Sequence, residues 1–150
     1  MLYKVKRFFA LTGEEKKLFA EAYVTLGLMR AALLLFSFKR LIRSMEQRKN
    51  AEKMIPLSDQ KQKSATEVGK AITRAAVHTP WESACLVQAL TAQRMLQKRG
   101  IPGVFYLGAM KEKEGEMKAH AWSQCGDTII TGEKGHEAFA VLSVFGWGKE

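Results

Sequence analysis

The sequence predicts an α+β protein, with helices first and a small antiparallel sheet after them. Three observations predict it. Apolar residues recur at helical spacing through Leu18–Phe38 and again through Cys85–Leu96. Beyond Pro102 the pattern changes to short β-branched and aromatic runs separated by glycine-bearing turns. Helices grouped ahead of strands, rather than alternating with them, favour an antiparallel sheet over a parallel one.

The 150 residues suit one domain with a real core. Hydrophobic residues make up 47% and charged residues 26%, an ordinary globular balance. Lys and Arg total 24 against 15 Asp and Glu, a net +9 that favours an acidic partner, nucleic acid or an anionic membrane surface. The basic residues, among them Lys16, Lys17, Lys39, Arg40, Arg43, Lys98 and Arg99, are scattered, and no nucleic-acid reader motif accompanies them. Nucleic acid is therefore not expected as a partner. Cys85 and Cys125 lack CxxC or Cys/His spacing, so neither a metal nor another cofactor is expected. The opening "MLYKVKRFFALTGEEKK" returns to charge before any apolar core of signal length, which leads us to expect a reduced, cytoplasmic protein.

In chain order, Thr12 is the expected N-cap of a long helical region reading on to Gln47, with Glu14 and Glu15 in its first turn. Lys39, Arg40 and Arg43 close its apolar part, and Gly27 leaves open whether it is one helix or two. Leu18–Phe38 is long enough to cross a bilayer, but Glu21 and Arg30 interrupt it. A buried or partner-facing helix is expected, without an integral membrane span. Residues 49–65, polar and containing Pro56, read as a surface connection. Ser64 and Glu67 form a capping-box pattern for a short helix that Thr79-Pro80 ends. Residues 1–50 are thus read as an N-terminal helical region beside a core of 51–150, together one compact unit.

Cys85, Leu86, Ala89, Leu90, Ala92 and Leu96 share one side of a further helix, which Gly100 caps and Pro102 stops. "GVFYLGAM" follows as a strand, then the charged turn "KEKEGEMK" around Gly115. "AHAWSQC" and "TIITG" flank Gly126-Asp127 as a hairpin. Gly132 and Gly135 form the turn before a last apolar strand within "HEAFAVLSVFGW", giving three or four strands.

Cys85 stands where that helix begins. A helix N-terminus favours a thiolate and offers free N–H groups to an oxyanion. Taken alone, Cys85 reads first as a packed apolar residue, and His120 is what brings the nucleophile reading level with it. His120 shares a strand face with Trp122 and Gln124, and a histidine is the usual general base near neutral pH. Cys125 points to the other strand face and reads as a core or surface thiol. His78 and His136 read as loop residues, Trp81 and Trp122 as core or pocket walls.

The ordered set "PWESACLVQALTAQRMLQKRGIP", "FYLGAMK", "AHAW", "CGDTIITG" and "FAVLSVF" resembles the stand-alone leader-peptide protease of lasso-peptide biosynthesis. That family is the protease half of a split B protein and is similar to the transglutaminase-like (papain-like) cysteine hydrolases. The resemblance covers about Pro80 to Phe145. It implies a core with the nucleophile at a helix N-terminus packed on a small antiparallel sheet. It also implies cleavage of a precursor's leader peptide, a small leader-recognition protein, and a separate ATP-dependent, macrolactam-forming cyclase. Cys85 matches the nucleophile and His120 the base. The family's third member is an acid, usually aspartate, that orients the histidine. Asp127 is the one aspartate after His120 but falls in the hairpin turn; a turn centred on Gly126-Asp127 places Glu133 across from His120. Glu133 is ranked ahead of Asp127. Alternative functions are acyl transfer to an amine and a non-catalytic adaptor with Cys85 buried. The N-terminal helices are expected to dock the recognition protein or the cyclase.

Overall fold

In a computed structural model, residues 9–43, 46–48 and 56–148 are described. The opening segment 1–8 and residues 49–55 of the expected connection lie outside them. Helix α1 (Gly13–Leu35) opens with a full capping box. The Glu15 N–H donates to Thr12 Oγ1 at 3.2 Å, and the Thr12 N–H donates to Glu15 Oε1 at 3.3 Å. The chain then turns extended at Phe36 and restarts at Ser37 as the short α2 (Phe38–Leu41). The break therefore falls at Phe36-Ser37 rather than at Gly27. Gly27 is small for another reason: a Cβ there would lie 3.0 Å from Trp81 Cζ2.

Two boundaries read from sequence are corrected. The helical region does not run on to Gln47, because β1 (Glu46–Arg48) pairs with the last strand. An open sheet edge offers backbone partners that override local helix propensity. Helix α3 (Asp59–Ala76) is capped by Ser58, whose Oγ accepts from the Lys61 N–H at 3.3 Å. Ser64 and Glu67 thus sit inside a helix that an earlier cap has already started. Val68, Ile72 and Ala75 form its buried stripe, and Gly69 rides so close to the sheet that a Cβ would lie 2.8 Å from the Ile130 carbonyl oxygen.

Helix α4 (Cys85–Lys98) ends as expected. Gly100 has φ +69°, its N–H donates to the Gln97 carbonyl at 3.1 Å, and the Ile101 N–H donates to the Leu96 carbonyl at 3.0 Å. These two bonds form a Schellman motif, and the positive φ is why glycine stands there. The chain reverses directly into β2 (Gly103–Lys111), followed by β3 (Met117–Cys125), β4 (Thr128–Thr131), a 3₁₀ turn (His136–Ala138) and β5 (Ala140–Trp147). The sheet order is β1-β5-β2-β3-β4 and every pairing is antiparallel.

The sheet has two different faces. Phe105, Ala121, Cys125 and Phe145 point toward the helices and join Leu26, Ile72, Leu90 and Leu96 in the main core. Val104, Tyr106, Trp122 and Val144 point the other way and form an outer aromatic layer with Ile129 and Phe139. Strand alternation alone generates this division.

Candidate active site

The loop before α4 positions Cys85. The Thr79 hydroxyl lies 2.7 Å from the Ser83 hydroxyl and within 3.2 Å of the Ala76 and Trp81 carbonyls. Gln88 Nε2 donates to the Ser83 carbonyl at 2.8 Å, tying the loop to the first turn of the helix. Trp81 packs edge-on against Tyr23 of α1 at 5.2 Å, and Arg30 of α1 pairs with Glu82 at 3.5 Å. Trp81 is a wall, as read from sequence; its buried Nε1 has no hydrogen-bond partner among the described residues.

Cys85 is the first residue of α4, half-buried against the main core. Ala84, the N-cap, is extended and has no side chain to bond the first-turn amides. An uncapped first turn leaves donor groups available to an anion next to the thiol. Cys125 is its opposite: fully buried on the helix side of β3, with burial pushing its thiol pKa up to about 12.

His120 sits on β3 opposite Gly108 of β2, on the same face as Trp122. Its ring stacks with Trp122 at 5.7 Å and tilts onto Phe139 at 5.0 Å. A Cβ at Gly108 would lie 2.9 Å from both Phe139 Cβ and Trp122 Cζ3, so this glycine makes room for the aromatic layer. His120 Nε2 is 2.7 Å from the Gly132 carbonyl oxygen. A carbonyl can only accept, so Nε2 carries the proton, and Nδ1 of the neutral ring is left with its lone pair.

The expected acidic partner is not what orients this ring. The hairpin does centre on Gly126-Asp127, since Cys125 pairs with Thr128 and Gln124 with Ile129. A bulge between Ser123 and Gln124 then shifts the register by one, and β4 ends at Thr131. Glu133 therefore lies beyond the strand, exposed, with its carboxylate bonded to no described residue. Asp127 is exposed at the turn tip, 3.5 Å from its neighbour Thr128. The Gly132 carbonyl occupies the place assigned to a carboxylate. The sequence signal for it was the turn glycine itself, read only as punctuation.

The structure does not bring Cys85 and His120 into contact. Among the described residues no hydrogen bond links them, and they belong to opposite faces of the sheet. His136 touches the same layer, 5.6 Å from Trp122, with its Nδ1 donating to the Glu133 carbonyl at 2.7 Å. His78 is exposed beside Phe19 at 6.2 Å. A groove lined by Thr12, Ser58, Lys61, Glu67 and Arg99 lies at the far end of α4 from Cys85. No three His, Cys, Asp or Glu side chains converge as metal ligands among the described residues.

No curated protein and no solved structure matches the chain. Residues 27–144 match the transglutaminase-like superfamily, a span running from the middle of α1 into β5. That superfamily includes cysteine hydrolases and acyltransferases. A helix headed by a cysteine and backed by an antiparallel sheet with a histidine on its second long strand is an arrangement consistent with that match, and the chain belongs to the transglutaminase-like superfamily.

Proposed function

We propose that this protein is a cysteine peptidase that removes the leader from a ribosomally made lasso-peptide precursor. In this reading it works in the cytoplasm with a small leader-recognition protein, and an ATP-dependent cyclase then takes the freed core peptide. The observation that carries the reading is Cys85 as the first residue of a helix without a side-chain cap. Support also comes from superfamily membership and from the ordered motifs between Pro80 and Phe145.

His120, held by its Nε2–H, takes the Cys85 proton on Nδ1. The thiolate attacks the carbonyl at the leader–core junction, and the Cys85 backbone N–H binds the oxyanion. The imidazolium returns its proton to the departing core amine. Water, deprotonated by His120, hydrolyses the thioester and releases the leader carboxylate. Because the two side chains lie on opposite faces of the sheet, this sequence requires β3 to present the His120 ring on the Cys85 side, at hydrogen-bond distance from the sulfur, when precursor binds.

The test is incubation of precursor and recognition protein with wild type, Cys85→Ala and His120→Ala. Each substitution is expected to lower cleavage by roughly 10³-fold or more. Persistent cleavage by Cys85→Ala would sink the mechanism. Mass spectrometry separates hydrolysis from acyl transfer, which leaves an amine adduct instead of a free carboxylate.

The separation of Cys85 and His120 onto different faces favours a second reading, a non-catalytic adaptor on the same fold. Alkylation of Cys85 followed across pH distinguishes the two. A profile changed by His120→Ala supports catalysis, and an identical one supports the adaptor.

A further inference from the structure

We propose that the outward face of α1 seats this protein on an anionic lipid surface. Helix α1 turns Ala22, Thr25 and Leu26 into the core. Its other side presents Val24 and Leu28, each 59% exposed, and Leu35, 75% exposed, with Leu34 and Phe36 beside them. These positions repeat every turn or two and form one apolar stripe down the helix.

The 23-residue helix has a mean hydropathy of 1.6 over its most apolar window, enough by length and composition to cross a bilayer. Its carboxylates argue for lying flat instead. Glu21 is gripped by the Arg99 guanidinium through both its oxygens and by Lys98 at 3.2 Å, and Glu15 pairs with Arg74 at 3.5 Å. A crossing helix would have to give up these pairs and its packing on α3 and α4. A helix lying in the interface keeps both and buries only the stripe.

Charge identifies the occupant. Glu21, the one acid of α1 beyond its first turn, is drawn sideways into ion pairs with Lys98 and Arg99, so the stripe from Lys17 to Arg40 shows no exposed carboxylate. Its ends are basic: exposed Lys17 at one, and exposed Lys39, Arg40 and Arg43 just past the other. A second copy of a +9 chain would bring like charges together at both ends. An anionic headgroup layer complements the basic ends while its acyl boundary accepts Val24, Leu28 and Leu35.

The experiment is co-sedimentation of the full chain with vesicles of phosphatidylcholine, alone or with about 30 mol% phosphatidylglycerol. Wild type is expected to partition at least roughly tenfold more strongly onto the anionic vesicles, and to be released as salt is raised. Val24→Glu/Leu28→Glu is expected to lose binding to both vesicle types, and Lys39→Glu/Arg40→Glu to fall to the phosphatidylcholine level. Unchanged far-UV spectra and unchanged Cys85 alkylation show that the variants are folded. Wild type remaining in the supernatant with both vesicles overturns the proposal. So does binding that ignores Val24→Glu/Leu28→Glu. A dimer, or a complex with the leader-recognition protein, that this double variant dissolves without any vesicle binding would make the face a protein interface instead.

Discussion

Gly132 meets two demands that no other residue satisfies. Its φ is +77°, and a Cβ there would lie 2.5 Å from the Ala121 carbonyl oxygen and 2.8 Å from Trp122 Cβ. That close approach is what delivers its own carbonyl to His120. Gly132→Ala is expected to destabilise the protein by about 2–3 kcal/mol, read as a lower urea midpoint. In wild type, ¹⁵N shifts should show the Nε2–H tautomer of His120; an Nδ1–H tautomer would refute the Gly132 contact. The two cysteines make a second residue-scale contrast. With a pKa of about 12, Cys125 is thiolate in roughly one molecule in 10⁴ at pH 8, and it is fully buried. Iodoacetamide should add one label, at Cys85, to the native protein and two after denaturation. Equal native rates at both thiols would contradict the packing described.

At the scale of elements, α1 is fastened by charge as well as by apolar contact. The Arg99 guanidinium, with Lys98 beside it, holds the Glu21 carboxyl below its ordinary value of 4.5. Because the folded-state value is the lower one, the stabilisation is complete above that ordinary value and fades as pH falls through the folded value. Glu21→Gln should therefore cost about 1 kcal/mol at neutral pH, and the difference from wild type should shrink to nothing in acid. Thermal melts at neutral and at acid pH check this, and a gap that widens in acid would reverse the sign. The same element shows how a helix end is decided. Thr12 and Glu15 satisfy each other's amides at the start, so that end was legible. The other end was not, because Phe36-Ser37 carries no glycine or proline and the break is set by how α2 meets the core. Phe38 lies 6.2 Å from Phe105 and 6.3 Å from Phe145, contacts that a continuous straight helix would have to supply in another direction.

For the whole molecule, the core ties the N-terminal helix to the part that bears Cys85. Leu26 is fully buried in the same cluster as Ile72, Leu90 and Phe105. Leu26→Ala should cost about 3 kcal/mol in a single cooperative transition by urea denaturation. Two separate transitions would mean that α1 is an independent unit. Periodicity made the helices, the strand alternation and the α+β order legible, because those patterns are local. The Gly100 cap and the Gly126-Asp127 hairpin were legible for the same reason, since each is fixed by a few neighbouring residues. The β1 pairing, the Ser123/Gln124 bulge and the partner of His120 were not, because each depends on residues distant in sequence. By itself, then, the sequence determined that Cys85 heads a helix and that His120 faces the same way as Trp122. Only the tertiary structure decided which face of the sheet the helices cover. That choice puts His120 in the outer aromatic layer and gives its Nε2–H to a backbone carbonyl. The physical reason is that burial selects a sheet's core face by the summed area of many side chains, which no single motif records.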